Sequence, residues 1–292
     1  MDAFVLQRKP VGRLWGAGLS RADGLPVGEW WLCSDYPTTV TEVARGPARG
    51  HTIQDLIARY GEAFWGDARV HERFPILVKQ LRPRFALPLQ VHPVKGRDRK
   101  NECWYVQTTE PDGWTISRWS GEAGVVAHSM GGTDLFTHLV RDAVFPGMLI
   151  TIPAGALHAL GPEVVVLEVQ DTADVTLRVS LWDHKEWNLE LNVEGAIEQF
   201  LQMQEQAQML EGTKRQWAQE NWQIRVARSS VVRLEPRVPT VVMNGQEPLW
   251  QLRGNGETEV VNGLETVLVI PGQSIVMESL AGPCDWLVCE VR

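Results

Sequence analysis

The sequence has few of the features that mark membrane, disulfide-rich or nucleic-acid-binding proteins. It contains 4 cysteines in 292 residues and no CxxC pair, too few for a disulfide scaffold of this size. No run approaches the roughly 18 apolar residues that span a bilayer. The formal net charge of −8 provides no general basic face for nucleic acid. We therefore expect a cytoplasmic protein with reduced cysteines that binds neither nucleic acid nor membranes.

The start of the chain shows no secretory signal, because Asp2, Arg8 and Lys9 interrupt a short apolar stretch. Hydrophobic residues make up 44% and charged residues 22% of the chain, which is typical of a globular protein. Tyrosine and phenylalanine are scarce, with 3 and 7 copies, whereas tryptophan occurs 13 times. We interpret the tryptophans as packing residues of sheets, and the 26 glycines and 17 prolines as turn residues between short strands.

Helical patterns are few. Within residues 51–65, apolar side chains recur at i, i+3, i+4 and i+7 from Ile53, and Thr52 with Asp55 resembles a capping box. A second helix is predicted from Asn192, as its N-cap, to about Gln206. The other predicted elements are short strands at residues 76–81, 87–92, 103–108, 114–119, 149–152, 164–170 and 175–182. This distribution predicts a mainly β protein, a sandwich or a barrel, with a few helices.

Three segments carry side chains of types that can bind metals. Gln90 and His92 are two residues apart in a strand and therefore share one face, where burial needs a polar partner or a metal. Glu102 opens the apolar strand that follows. A buried histidine with a hydrogen-bond partner and a strand-edge carboxylate are the plainer interpretations. The third segment, from Gly147 to His158, has the spacing G-x5-P-x-G-x2-H, in which the strand ends at a proline and a glycine turn orients the histidine.

The segment from Gly147 to His158 resembles the second conserved motif of the cupin superfamily, which implies a jelly-roll β-barrel. Taken with Gln-Val-His-Pro at 90–93, Lys-x-Glu-x-Trp-Tyr at 100–105 and Val-Leu-Glu-Val-Gln at 166–170, it resembles the type I mannose-6-phosphate isomerases of the short bacterial class. The resemblance extends over about the first 200 residues. Ser180 and Leu181 stand where the family pattern has a tyrosine and an aspartate.

This resemblance implies one Zn²⁺ per chain, held by Gln90, His92, Glu102 and His158. It also implies catalytic roles for Arg178 and Lys100, and a role close to the substrate for Glu168, which we prefer as the base for proton transfer. The implied reaction interconverts mannose 6-phosphate and fructose 6-phosphate through a cis-enediol. The substrate is thus a small sugar phosphate, and its phosphate is expected at Arg97, Arg99 or Lys100. The sequence does not indicate an oligomeric state.

The same resemblance divides the chain. We predict a catalytic cupin domain with an N-terminal extension at residues 1–205, a linker at 206–221, and a smaller cupin-like β domain without a metal site at 222–292. The last domain includes a predicted hairpin at residues 250–260. Two alternative functions stay open at this point: another metal-dependent cupin enzyme, such as an iron oxygenase, and a sugar-binding cupin without turnover.

Overall fold

A computed structural model describes residues 2–203, 215–246, 249–263 and 265–292. By its internal contacts the chain divides into two compact units, each made of several segments. The terminal unit comprises residues 1–9, 30–79 and 214–292, and the central unit comprises residues 10–29 and 80–213. The predicted domain limits at 205, 221 and 222 stay a prediction.

The described residues form mainly β structure with few helices. The helices are α1 (Ile53–Tyr60), α2 (Glu62–Trp65), α3 (Ala123–Ser129) and α4 (Val193–Gln202). The strands are β1 (Ala3–Leu6), β2 (Lys9–Gly12), β3 (Val27–Cys33), β4 (Asp35–Tyr36), β5 (Thr39–Val40), β6 (Ile76–Leu81), β7 (Leu89–Val91), β8 (Glu102–Thr108), β9 (Trp114–Trp119), β10 (Leu139–Ala143), β11 (Leu149–Ile152), β12 (Ala159–Leu160), β13 (Val165–Asp171), β14 (Leu177–Ser180), β15 (Gln216–Ala218), β16 (Trp222–Ser229), β17 (Val231–Leu234), β18 (Thr240–Asn244), β19 (Trp250–Gly254), β20 (Glu257–Val261), β21 (Thr266–Val269), β22 (Ile275–Ser279) and β23 (Cys284–Val291).

In the terminal unit, two antiparallel sheets share one apolar core. One sheet has the order β1-β21-β18-β23-β16-β15 and the other the order β17-β22-β19-β20. Their core includes Trp250 and Trp286, whose rings meet edge to face with centroids 5.2 Å apart. The predicted hairpin at 250–260 is confirmed as β19 paired with β20. Asn255 and Gly256 form its two-residue turn, and both have the positive φ that such a turn needs.

The first predicted helix is present in the terminal unit, but as two pieces. Thr52 and Asp55 form the predicted capping box, in which each side chain accepts a hydrogen bond from the backbone N–H of the other residue. Helix α1 ends at Gly61, whose φ of 56° breaks the helical backbone, and α2 follows directly. A pattern of apolar residues cannot show such a break, since both pieces turn apolar side chains inward.

The central unit contains the strands that carry the candidate site. Strands β11, β8 and β13 lie side by side and antiparallel, with β8 in the middle. Strand β14 pairs with β7, and β9 lies between β10 and β12. All seven strands predicted from the sequence are present: three have the predicted bounds, four have ends shifted by one or two residues, and the second and seventh are half as long as predicted.

The second predicted helix is α4, which begins after Asn192. Asn192 occupies the N-cap position, as predicted, but its side chain makes no capping hydrogen bond. Inside the central unit α4 buries Ala196 and Phe200, and the Phe200 ring lies 4.8 Å from that of Trp119. The helix ends at Gln202, and residues 204–206 of the prediction lie outside the described residues. Within the described ranges, no helix is long and apolar enough to cross a membrane.

Candidate metal centre

Backbone pairing brings the first and third metal-capable segments together. The Gln90 N–H donates to the His158 carbonyl and the His158 N–H donates to the Gln90 carbonyl, each at 3.0 Å. Because β7 alternates its faces, Gln90 and His92 point away from Leu89 and Val91, which belong to an apolar cluster. His158 follows the Pro153–Gly155 turn, where Gly155 has a φ of 87° and its N–H donates to the His92 carbonyl at 3.0 Å.

Glu102 supplies the carboxylate between the two histidines. His92 Nε2 lies 3.0 Å from Glu102 Oε1, and His158 Nε2 lies 3.5 Å from Glu102 Oε2. The three candidate ligand atoms lie within 4.8 Å of one another, and the three side chains are fully buried. Predicted from separate segments of the sequence, these residues therefore form one cluster.

The histidine tautomers leave the cluster short of hydrogen-bond donors. His92 Nδ1 lies 2.9 Å from the Val175 carbonyl and His158 Nδ1 lies 2.9 Å from the Ala156 carbonyl, so both Nδ1 atoms carry the proton. Both Nε2 atoms then present lone pairs toward the Glu102 carboxylate. His92 Nε2 and both Glu102 oxygens have no hydrogen-bond partner. Lys100 Nζ lies 2.6 Å from Glu102 Oε1 and balances the carboxylate charge, but the lone pair of His92 Nε2 still faces the carboxylate without a donor. Buried acceptors that face one another are costly unless a cation lies between them, and this donor set suits Zn²⁺.

The pKa shifts agree with a site that keeps its ligands unprotonated. Burial lowers the pKa of His92 and, with the nearby His92, lowers the pKa of His158 to about 3. Burial alone would raise the pKa of Glu102, but Lys100 and the two imidazoles hold it well below its ordinary value. At neutral pH the cluster consists of two neutral imidazoles and one carboxylate, the forms in which these groups bind metal.

Two further predicted residues border the cluster. Gln90 is almost buried, and its amide Nε2 lies 3.1 Å from His158 Nε2; a 180° turn of the amide brings Oε1 to the same side. Lys100 Nζ lies 2.6 Å from Glu102 Oε1, although the angles do not make a hydrogen bond. Lys100 is thus a buried cation of the cluster.

Glu168 is linked to the ligand cluster by Trp104, which contacts both Glu168 and His158. On the paired strands β8 and β13, Gln170 lies opposite Glu102, and Glu168 lies opposite Trp104. The Trp104 indole donates from Nε1 to Glu168 Oε2 at 2.8 Å, while its ring meets the His158 ring edge to face with centroids 5.7 Å apart. Glu168 itself is buried. The predicted base and the predicted ligand His158 therefore both contact the Trp104 indole.

Arg178 lies on β14 opposite Gln90 of β7. Its side chain is partly buried, and burial, together with the charge of Arg13, lowers its pKa, whereas Asp174 and Glu190 act in the opposite direction. In the described ranges its guanidinium makes no hydrogen bond or ion pair, unlike that of Arg13. A partly buried guanidinium without a protein partner is suited to an anionic ligand.

Sequence reasoning missed Arg13 and its partners. Arg13 Nε and Nη2 bind the two oxygens of Glu29 at 2.8 and 2.9 Å, and Nη2 also lies 3.4 Å from Asp174 Oδ2. Its electrostatic interactions extend to Glu168 and Arg178. Nothing in the spacing of Arg13 signals a role, because its partners lie 16 and 161 residues away.

Of the three cations expected to hold the phosphate, Lys100 is occupied by Glu102. Arg97 is exposed, and Arg99 is partly buried, with Nε 3.7 Å from Asp171 Oδ2. The three cations therefore differ in exposure: the lysine is buried, Arg97 is exposed and Arg99 is partly exposed.

Residues 18–126 match the family model described as the catalytic domain of type I phosphomannose isomerase. A mannose-6-phosphate isomerase of Streptococcus mutans is 29% identical over 199 residues, which cover 63% of this chain and 62% of the relative. A probable mannose-6-phosphate isomerase of Bacillus subtilis, GmuF, is 32% identical over 187 residues, or 59% of this chain and 58% of the relative. The chain thus spans about three fifths of the length of the curated relatives that it matches.

Solved structures are similar over the whole chain. The mannose 6-phosphate isomerase from Bacillus subtilis has a TM-score of 0.80 at 20% identity, covering 99% of this chain and all of that one. A zinc-bound mannose 6-phosphate isomerase has a TM-score of 0.75 at 13% identity and covers 100% of both chains. The predicted mainly β cupin fold is therefore confirmed. Motifs, family model and fold agree, and the chain resembles the type I mannose-6-phosphate isomerases.

Proposed function

We propose that this chain is a zinc-dependent aldose–ketose isomerase that interconverts mannose 6-phosphate and fructose 6-phosphate. The observation that carries the proposal is the buried convergence of His92, Glu102 and His158, whose ligand atoms lie within 4.8 Å of one another. The curated relatives named for this reaction and the zinc-bound structural neighbour support it. The four cysteines are buried and form no disulfide, which supports a cytoplasmic location.

We assign one Zn²⁺ to Nε2 of His92, Nε2 of His158, the Glu102 carboxylate and the Gln90 amide oxygen. These nitrogen and oxygen donors fit zinc, and the backbone carbonyls that bind both Nδ1–H groups fix the rings for it. When bound, zinc supplies Lewis acidity toward the substrate oxygens beside the reacting carbons.

The other residues handle protons and charge. The reaction removes the proton from carbon 2 of the aldose and returns one to carbon 1 through a cis-enediol. We assign the first transfer to Glu168, whose carboxylate the Trp104 N–H holds in place at 2.8 Å. Lys100 and Arg178 provide positive charge beside the oxygens on which negative charge develops.

The phosphate requires a cation that is open to solvent, because a dianion enters from water. Arg97 meets this requirement, and Arg99 meets it in part, since it is 26% exposed with Nε 3.7 Å from Asp171 Oδ2, whereas Lys100 is buried against Glu102. We therefore assign the phosphate to the two arginines. Arg97→Ala and Arg99→Ala are expected to raise KM for mannose 6-phosphate while leaving kcat less affected.

The test is turnover by the full chain. Purified protein is stripped of metal, reloaded with Zn²⁺ or Fe²⁺, and assayed for fructose 6-phosphate formed from mannose 6-phosphate. Unphosphorylated mannose and the His158→Ala variant are the matched controls. Turnover that requires Zn²⁺, His158 and the phosphate is expected. Absence of turnover in a zinc-loaded protein would overturn the isomerase assignment and favour a sugar-binding cupin, and turnover with Fe²⁺ alone would overturn the choice of zinc.

A further inference from the structure

Asn101 and Asp171 form a buried polar pair beside the ligand cluster, in the same central unit. Asp171 Oδ2 accepts hydrogen bonds from the Asn101 backbone N–H at 3.0 Å and from its side-chain Nδ2 at 2.7 Å. In return, the Asp171 N–H donates to the Asn101 carbonyl at 3.1 Å. Both side chains are less than 9% exposed, so water replaces these bonds poorly.

The pair lies between elements that carry different ligands. Asn101 directly precedes Glu102, and Asp171 directly follows Gln170, which lies opposite Glu102 in the β8–β13 ladder. Asn101 Oδ1 also accepts a hydrogen bond from the Ala154 N–H at 3.1 Å. Ala154 belongs to the turn that leads into His158. One amide side chain thus connects the start of β8, the end of β13 and the turn before His158.

The same turn is also bound to the His92 segment. The N–H of Gly155, next to Ala154, donates to the His92 carbonyl at 3.0 Å. The Lys100 N–H donates to the Pro93 carbonyl at 3.1 Å. The backbones that present His92, Glu102 and His158 are therefore joined to one another by hydrogen bonds that meet at or beside Asn101.

We propose that Asn101 and Asp171 are positioning residues that determine the affinity of the site for its metal, by holding the Glu102 and His158 backbones at a fixed separation. Neither residue belongs to the ligand set, and neither touches the substrate in this scheme. The proposal rests on the metal site of the proposed function but not on the sugar reaction. Three ligands spaced a few ångströms apart bind tightly only if their backbones do not relax, because relaxation lengthens every ligand distance at once.

Loss of an ordinary buried contact should lower only the stability, whereas loss of the Asn101–Asp171 pair should also weaken zinc binding. Asn101→Ala removes the acceptor for the Ala154 N–H and the donor to Asp171, and we expect about tenfold weaker zinc binding, the lower end of the range for groups that orient ligands. Asn101→Asp should weaken binding further, since two carboxylates then face each other. Adding Asp171→Asn to Asn101→Asp exchanges donor and acceptor across the pair and should restore most of the affinity.

Gln107 provides a matched control on the same strand. Its Oε1 accepts a buried hydrogen bond from Gln80 Nε2 at 2.6 Å, near the end of β8 that lies away from Glu102. Gln107→Ala should lower the urea midpoint of the metal-free protein about as much as Asn101→Ala does, because each change leaves a buried polar group unpaired. It should leave the zinc affinity unchanged.

The experiment measures zinc dissociation constants of the full chain by competition with a chromogenic chelator, and unfolding by urea in the metal-free protein. Asn101→Ser replaces Asn101→Ala if the alanine variant does not fold. Weaker zinc binding in the Asn101 variants only, with recovery in the exchanged double variant, supports the proposal. Unchanged affinity in Asn101→Ala or Asn101→Ser, or an equal loss in Gln107→Ala, overturns it. Wild-type protein that binds zinc without isomerising mannose 6-phosphate overturns the proposed reaction instead and leaves this comparison valid.

Discussion

Lys100 Nζ lies 2.6 Å from Glu102 Oε1, and each side chain is at most 4% exposed. The ammonium group stabilises the Glu102 carboxylate and contributes to its depressed pKa. It also repels any other cation that enters the cluster. Lys100 therefore acts on the candidate metal site in two opposite ways, and the two effects can be measured separately.

Replacing Lys100 by methionine should separate metal binding from turnover. The neutral side chain removes a positive charge from the neighbourhood of the metal, so zinc affinity should be unchanged or higher. Turnover should fall by about 10²-fold, because a positioned acid or charge is lost. Metal titration and steady-state kinetics measure the two effects, with the exposed Lys95→Met as the control. Loss of zinc from Lys100→Met would contradict this division of roles.

The four candidate ligands should be unequal. His158 is fully buried and its ring is fixed by the Ala156 carbonyl, whereas Gln90 is a weaker donor at the edge of the cluster. His158→Ala should abolish stoichiometric zinc binding, while Gln90→Ala should weaken it by about 10- to 100-fold, as for an outer ligand or a supporting group. Zinc content after dialysis against a weak chelator distinguishes these outcomes. Equal loss in both variants would show that Gln90 is as essential as the histidine.

The sequence predicted the ligand cluster because its information is local. The spacing from Gly147 to His158 encodes a strand, a proline stop and a glycine turn, and the alternation in β7 places Gln90 and His92 on one face. Each of these features depends on neighbours along the chain. That Glu102 would lie between the histidines followed from the resemblance, because strand order in a sheet has no local signal.

The parts that were missed depend on distant partners. Arg13 bonds to Glu29 and Asp174, and no local pattern relates these positions. Asn101 has no local signal either, because its side chain bonds to residues more than 50 positions away along the chain. Helix α3 was not predicted, since only one turn of it is buried and no cap marks its start. Tertiary contacts, rather than sequence period, determine these elements.

Glu168→Gln tests the assignment of the proton-transfer base. The amide keeps the size of the side chain and accepts the Trp104 hydrogen bond, but it cannot take a proton from carbon 2. We expect kcat to fall by about 10²- to 10⁴-fold with zinc content unchanged. Exchange of the carbon 2 proton with solvent deuterium, followed by NMR, reports the same step directly. Exposed Glu163→Gln is the control, and near-full activity of Glu168→Gln would remove Glu168 from this role.

The Arg13–Glu29 pair should stabilise the central unit only as a pair. The Glu29 side chain is 8% exposed, so Arg13→Met leaves a nearly buried carboxylate without its bidentate partner. Because Arg13 is itself 29% exposed, we expect a loss of about 2 kcal/mol in the free energy of unfolding, less than for a fully buried pair. Arg13→Met with Glu29→Met should be more stable than Arg13→Met alone. Urea unfolding of the wild type, Arg13→Met, Glu29→Met and the double variant gives a double-mutant cycle. Additive losses of stability in this cycle would exclude coupling between Arg13 and Glu29.

Stability of the metal-free protein should fall as the pH decreases below about 6.5. His158 has a pKa lowered from 6.5 to about 3 in the folded protein, and burial lowers the pKa of His92 as well. Between these two pH values the unfolded chain binds protons that the folded chain does not, so acid favours unfolding; above about 6.5 these groups contribute no pH dependence. Urea unfolding with chelator present, at several pH values from about 7.5 to about 5, measures the slope before carboxylates begin to titrate. His158→Gln should reduce the slope and exposed His128→Gln should not, whereas equal slopes in all three proteins would show that folding does not lower the pKa of His158.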